Sequence, residues 1–496
     1  MNNIAVINAI DMRPAAARQL MDGFSAFQKA LSFGRRLPGV TEVVLLARPG
    51  LQAPSDVRVV ARPAWSTAEL LSEIDKAAEG HDDVFYFFAD CPFLDETIAG
   101  RMHGNHRRYW ADYTFADGFP YGLTPEILRR ETAGKLSVMA AGDAREPDRQ
   151  SIFTVISKDI NSFDIETELA PSDMRLLRVS LCADTERNFL LLKRIVEKGG
   201  RESESVCRVL QTEPRVLRTL PAFFPIQIVE RCPHACSYCP YPVVGGNILA
   251  KNGSMPLESF SALLKKIAAF CGDAVVDISL WGEPSLHPRI FDMIAAVLSE
   301  PGLSLVIETS GVGWDPDLPG RVHDSFPVHP TWIVSLDAHA EPMYRRLRGE
   351  GYSEALRTAD KLLSLFPRST WVQAVRMKEN EEDLDEFYKA WKTRTENIII
   401  QKYDSFSGLL EDRKVADLSP VKRFPCWHLK RDMAIFMDGT VPLCREDVRA
   451  QSPQGNALTE DLAVIWERAE AAYRQHVAEH YPAICARCDE YYTYNF

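Results

Sequence analysis

Three cysteines in the run Glu230-Arg231-Cys232-Pro233-His234-Ala235-Cys236-Ser237-Tyr238-Cys239-Pro240 constrain this chain more than any other stretch. They follow the apolar run 226–229, so a strand is predicted to empty directly into a short C-x3-C-x2-C loop. Such a loop gathers three thiolates around one inorganic centre. Three thiolates bind three irons of a 4Fe–4S cube and leave the fourth iron without a protein ligand. An open metal position is where a catalytic site takes its substrate or cofactor. Structural zinc sites are usually built from two C-x2-C pairs, and this loop lacks the second pair.

Composition bounds the rest. A chain of 496 residues accommodates roughly two to four domains. With 46% hydrophobic and 25% charged residues, the composition is that of an ordinary soluble globular protein. A net charge of −12 argues against a nucleic-acid partner. No apolar run of about 18 residues is present, so no membrane span is predicted. The N-terminus has no signal-peptide pattern, and a cytoplasmic location is expected. Of the cysteines, Cys91, Cys182, Cys207 and Cys271 are scattered and read as small buried residues. The others fall in two tight groups and read as metal ligands rather than disulfides.

With Tyr238 between the second and third cysteines, the loop resembles the C-x3-C-x-aromatic-C signature of the radical S-adenosylmethionine (radical SAM) superfamily. Residues 223–405 are predicted as the corresponding domain. Strands are expected at 226–229, 275–280, 303–308, 332–335, 371–376 and 398–401, with helices at 256–270, 288–298, 353–365 and 381–391. Six βα-like units make a partial (β/α) barrel, with chemistry at the C-terminal ends of its strands.

The resemblance implies a set of cofactor contacts at those ends. Gly282 and Glu283, in Trp281-Gly282-Glu283-Pro284, match two positions of the family's Gly-Gly-Glu element, which holds the amino group of S-adenosylmethionine. A carboxylate is a natural acceptor for an ammonium group, and Trp281 departs from the pattern. Thr309 lies in a turn similar to one beside the cofactor, and Ser335, in Ser335-Leu336-Asp337, faces cofactor or substrate. A downstream arginine reaches the cofactor carboxylate. Of Arg345, Arg346 and Arg348, Arg348 is named as that contact, and Tyr238 is counted with the cofactor-binding residues.

Residues 406–496 contain Cys426, Cys444, Cys485 and Cys488, enough to ligate every iron of a second cube. Asp438-Gly439 predicts a hairpin joining 433–437 to 440–444. A helix is expected at 462–473, and the aromatic tail 491–496 is expected to pack on the barrel. The Cys426, Gly439, Cys444 spacing resembles the opening of SPASM/twitch extensions. A four-cysteine zinc site is the alternative that the spacing allows.

Residues 1–198 alternate strands and helices, which predicts an α/β sandwich with a mainly parallel sheet. Strands are expected at 4–7, 42–46, 57–61 and 84–89, a helix at 14–37, and a second helix opened by the capping box at Ser66 and Glu69. Asp90, at the tip of the fourth strand, and the loop 119–122 resemble elements of nucleotide-sugar cytidylyltransferases. The resemblance implies a metal at Asp90, with Asp184 as the second carboxylate. Such enzymes cradle phosphates with a glycine-rich loop after the first strand, whereas 10–18 here has no glycine and contains Pro14. A non-catalytic domain is therefore expected. A small polar stretch makes 199–222 a linker.

The three-part arrangement resembles the spiro-SPASM proteins. The family implies two 4Fe–4S clusters, S-adenosylmethionine and a flavodoxin- or ferredoxin-like electron donor. The activity implied is reductive cleavage of the cofactor to a 5′-deoxyadenosyl radical, which abstracts hydrogen from a peptide or a carbohydrate-like small molecule. The auxiliary cluster then serves electron transfer. The rival readings are a nucleotidyltransferase with regulatory iron–sulfur parts and a non-enzymatic cluster or zinc scaffold.

Overall fold

In the computed structural model, which describes residues 2–245, 252–421 and 423–493, the chain divides into the units Met1–Thr219 and Leu220–Phe496. The first unit is built on β1 (Asn3–Ala9), β2 (Val40–Ala47), β3 (Arg58–Ala61), β4 (Asp83–Phe88), β5 (Tyr113–Asp117), β6 (Glu126–Arg129) and β7 (Ile165–Leu169). Their order in the sheet is β3-β2-β1-β4-β6-β5-β7. Every residue of β1 is buried, because β2 and β4 flank it in parallel and helices cover both faces. The pairs of β6 with β4 and β5 are antiparallel.

The expected helix over 14–37 is interrupted. A 3-10 turn at Pro14–Ala17 comes first, then a short antiparallel pair, Gln19–Met21 and Phe24–Ser25, and only then α1 (Ala26–Arg36). Asp22 and Gly23 both have positive φ, and this reverses the chain between the two short strands. Ser25 and Gln28 form a capping box that restarts it as helix. The box predicted at Ser66 and Glu69 opens α2 (Thr67–Ala77). The 199–222 stretch is not bare linker. After α3 (Glu186–Glu197) it forms α4 (Ser203–Thr212), and Val206, Val209 and Leu210 share a core with Leu192 and Ile195.

The second unit is a curled parallel sheet of β8 (Phe223–Pro225), β9 (Ala274–Asp277), β10 (Leu303–Thr309), β11 (Thr331–Ser335), β12 (Thr370–Arg376) and β13 (Ile398–Lys402). They follow one another in chain order, with α5 (Leu257–Cys271), α6 (Ile290–Leu298), α7 (Tyr352–Leu365) and α8 (Glu381–Lys392) among the helices packed outside. This is the partial barrel expected from the periodicity. Among the described residues no helix is long and apolar enough to cross a membrane.

Two local expectations fail here. The first barrel strand is 223–225 rather than 226–229, which leaves the ladder and makes only isolated bridges. The Gln227 side chain holds that departure, its Nε2 donating to the Trp281 carbonyl at 2.9 Å and the Tyr241 hydroxyl at 3.1 Å. The hairpin of 433–437 with 440–444 does not form as a ladder. Met433 and Ile435 instead donate to Phe223 and Pro225 carbonyls at 3.0 and 2.8 Å, extending the open edge of the barrel. Their burial in the barrel core outweighs the local turn signal. The turn at Asp438-Gly439 survives, and β14 (Thr440–Val441) pairs with β15 (Gly455–Asn456). The expected helix over 462–473 forms as α9 (Leu462–Val477). Of the aromatic tail, Tyr491 packs with Tyr473 and Cys485 in a small C-terminal core, and 494–496 lie outside the described residues.

Candidate active site

The C-terminal ends of the barrel strands surround a cavity of about 300 Å³. Cys232, Cys236 and Cys239 line one wall of it, Gly282 and Glu283 another. Strand alternation explains the rest of the lining. Apolar Val306, Ile333 and Ile399 point inward, and further along the strands come Asp277, Glu308, Ser335, Gln373 and Gln401. The result is an apolar part beside a polar ring, as ligand sites generally require.

Burial pushes the thiols of Cys232, Cys236 and Cys239 above their ordinary value, Cys239 to about 12. Thiols so placed ionise only beside a cation, the condition that bound iron supplies. Gly282 sits at φ +151°, and a Cβ there would collide with the Val229 carbonyl oxygen. Glycine is thus what lets this loop press against the segment leading into the cysteines. Trp281 just before it and Asp337 opposite also have positive φ, unusual for residues with side chains.

Glu283 is buried and pre-positioned. Thr309 Oγ1 donates to its Oε1 at 2.5 Å and the Ser310 amide to its Oε2 at 2.8 Å. Burial raises its carboxyl above the usual range, with those donors opposing. Thr309 is held in turn by Trp314 Nε1 at 2.8 Å. Ser335 Oγ donates to Glu308 Oε1 at 3.0 Å, and Gln373 Nε2 reaches the same oxygen at 2.6 Å.

Tyr238 and Arg348 meet over Asp337. Arg348 Nη1 donates to the Tyr238 hydroxyl at 2.6 Å, and both donate to Asp337 Oδ2. Arg345 and Arg346 are exposed, Arg345 pairing with Glu341 and Glu350. Among the described residues, the buried Nε of Arg348 and Nε1 of Trp281 have no hydrogen-bond partner. Unpartnered buried donors beside a cavity fit an acidic ligand group.

Cys426, Cys444, Cys485 and Cys488 line a second, much smaller cavity. Burial raises all four thiols, Cys426 to about 12 and Cys485 to about 11. Arg423 closes that side, its guanidinium 4.1 Å from the Tyr481 ring and 4.6 Å from that of Tyr491, while its Nη2 donates to the Cys485 carbonyl at 2.8 Å.

Asp90 and Asp184 of the first unit come together, but on a protein cation. Arg149 donates to Asp90 at 3.2 and 2.5 Å and to Asp184 at 3.1 Å. Sequence reading missed this arginine and, in the barrel, Asp277 and Gln373. The barrel pair carried a signal, each being a polar residue inside an otherwise apolar strand pattern. Arg149 carried none, since it lies in a polar stretch far from both aspartates in sequence.

A family pattern described as the radical SAM superfamily matches residues 226–390, and one described as an iron-sulfur cluster-binding domain, SPASM, matches 426–489. The chain belongs to the radical SAM superfamily of enzymes and carries a SPASM domain at its C-terminal end. A 4Fe–4S cluster and S-adenosylmethionine are its cofactors. An uncharacterized protein of Treponema pallidum (strain Nichols) is 41% identical over 359 residues, covering 70% of this chain and 98% of that one. Among solved structures, Streptococcus suis SuiB bound to the precursor peptide SuiA aligns at TM-score 0.44 and 14% identity, over 68% of this chain and 78% of SuiB. A cytidylyltransferase from Leptospira borgpetersenii serovar Hardjo-bovis aligns at TM-score 0.35 and 15% identity, over 43% of this chain and 95% of that one.

Proposed function

We propose that Cys232, Cys236 and Cys239 hold the 4Fe–4S cluster and that Glu283 and Arg348 receive the ammonium and carboxylate groups of S-adenosylmethionine. The substrate would be a peptide or a carbohydrate-like small molecule. The observation that carries this reading is that Cys232, Cys236, Cys239, Glu283 and Arg348 line one cavity, and that Arg348 Nε has no hydrogen-bond partner among the described residues. Bound there, cluster and cofactor would supply one-electron reductive cleavage of S-adenosylmethionine and, through it, hydrogen abstraction from a substrate C–H bond.

The chain's own residues do the positioning. Thr309 and the Ser310 amide fix Glu283 so that its carboxylate needs no reorganisation to receive an ammonium group. Asp337 and Tyr238 hold Arg348 in place. Apolar Val306, Ile333 and Ile399 limit water, and the ring of Asp277, Glu308, Ser335, Gln373 and Gln401 offers hydrogen bonds to substrate.

Cys426, Cys444, Cys485 and Cys488 would ligate a second cluster completely, leaving no iron for substrate and assigning it electron transfer. One tetrahedral zinc would draw its sulfurs to about 3.8 Å of one another, from Zn–S bonds of about 2.3 Å. No three of these sulfurs lie mutually within 4.8 Å among the described residues, which favours the larger centre. A flavodoxin- or ferredoxin-like donor would supply the electron.

The test is anaerobic reconstitution with iron and sulfide counting, then dithionite and S-adenosylmethionine with detection of 5′-deoxyadenosine. About eight irons per chain and 5′-deoxyadenosine formation are expected. Formation that persists in Cys232→Ala would overturn the assignment.

A further inference from the structure

The resemblance of the first unit to cytidylyltransferases implies a divalent ion at Asp90 and Asp184, and the residues present do not fit one. Arg149 donates to both oxygens of Asp90, at 3.2 and 2.5 Å, and to Asp184 Oδ2 at 3.1 Å. The other oxygen of Asp184 accepts from Asn188 Nδ2 at 2.8 Å. The guanidinium is stacked as well, 4.7 Å from the Phe88 ring and 5.4 Å from that of Tyr121. A magnesium ion would need these same oxygens at about 2.0–2.1 Å. A guanidinium cannot shed its proton to make room.

The segment after β1 supports this independently. A phosphate cradle needs backbone N–H groups that point at the ligand. Here the amide of Ile10 donates to Asn8 Oδ1 at 3.0 Å. Those of Met12, Ala16 and Arg18 donate to the carbonyls of Ala9, Arg13 and Ala15 at 3.4, 3.0 and 3.1 Å. Pro14 has none to give. Four of the eight backbone donors over 10–18 are thus spent inside the turn itself.

We infer that Arg149 is a built-in replacement for the divalent ion, and that the first unit performs no metal-dependent nucleotidyl transfer. Two like charges at a strand tip require a positive partner, and the chain supplies it covalently. Cys91 and Cys182 lie beside Asp90, their sulfurs 3.4 Å apart, so a soft ion is the one rival occupant of the same corner.

The full-length, cluster-loaded protein tests this by Mn²⁺ titration with electron paramagnetic resonance, by zinc analysis, and by pyrophosphate release from CTP and Mg²⁺. The wild type is expected to show no Asp184-dependent Mn²⁺ site, no retained zinc that depends on Cys182, and no pyrophosphate release. Arg149→Ala should gain one Mn²⁺ site, at least tenfold tighter than any in the wild type. That gain should vanish when Asp184→Asn is added and should be absent in Arg149→Lys. Formation of 5′-deoxyadenosine should be unchanged throughout. If circular dichroism shows Arg149→Ala unfolded, Arg149→Gln takes its place. Three outcomes would overturn the inference: a folded Arg149→Ala or Arg149→Gln protein with no new Mn²⁺ site, wild-type Mn²⁺ or zinc binding lost in Asp184→Asn or Cys182→Ser, or pyrophosphate release by the wild type.

Discussion

The strand-tip clusters of the two units resolve their charge in opposite ways. In the first unit, Asp90 and Asp184 share the guanidinium of Arg149, and four of the backbone donors after β1 are spent locally. In the second, thiols and carboxylates face a cavity, and Arg348 Nε and Trp281 Nε1 have no hydrogen-bond partner among the described residues. A self-satisfied cluster contributes to stability and binds little. A cluster left incomplete by its own chain has free energy to gain from a ligand. The α/β architecture alone therefore did not indicate which unit is chemically active.

Substitutions should separate the two clusters sharply. Cys232→Ala should lower 5′-deoxyadenosine formation about a thousandfold or more, equivalent to roughly 4 kcal/mol of barrier, while Asp90→Ala leaves it unchanged. Equal losses in both would erase the contrast. Glu283→Gln should weaken S-adenosylmethionine binding roughly ten- to a hundredfold, the value of a charge-assisted contact, in a direct titration of the reconstituted protein. Gly282→Ala should do at least as much, because its Cβ meets the Val229 carbonyl.

Asp90→Asn should instead appear in unfolding curves, as a loss of about 2 kcal/mol from the first unit. That lies below the cost of breaking a fully buried pair, because Arg149 is 28% exposed. An unchanged denaturation midpoint would show that the arginine clamp is idle.

Asp277 gives a pH-dependent test of the open cluster. Burial, with Glu308 adding to it, raises its carboxyl to about 7. The folded state then holds a proton that the unfolded state releases near pH 4. Stability from this residue falls as pH rises from about 4 to about 7, and the penalty is complete above that. Asp277→Asn should therefore stabilise the protein by about 1 kcal/mol at pH 8 and by nothing at pH 4, a figure reduced for its partial exposure. A pH-independent difference in melting temperature would argue against an uncompensated carboxylate. A stability effect of the same small size is expected at Ser25→Ala, about 1 kcal/mol for a lost cap with no change in cofactor cleavage.

Much of this was legible in the chain. The cysteine loop, the alternation of strands and helices, and the capping box at Ser66 and Glu69 are local patterns, and local patterns can be read directly. The Asp22-Gly23 turn and the Ser25 cap were readable too, and they were overridden by the apolar count of 14–37. The hairpin at Asp438-Gly439 failed for another reason. Its turn formed, but 433–435 found more burial along the edge of β8 than in pairing with 440–444. Strand pairing depends on which edge is open nearby, and a local window does not contain that fact.

The sequence by itself determined the spacing of the thiols and the glycine at 282, since these depend on neighbours a few residues apart. Only the tertiary structure decided that Arg149 falls between Asp90 and Asp184, that Arg348 rather than Arg345 faces the cavity, and that Gln373 joins Ser335 on Glu308. Ser335 and Gln373 lie 27 and 65 residues from Glu308 in sequence. Their attraction is decided by distance in space, which only the folded chain sets.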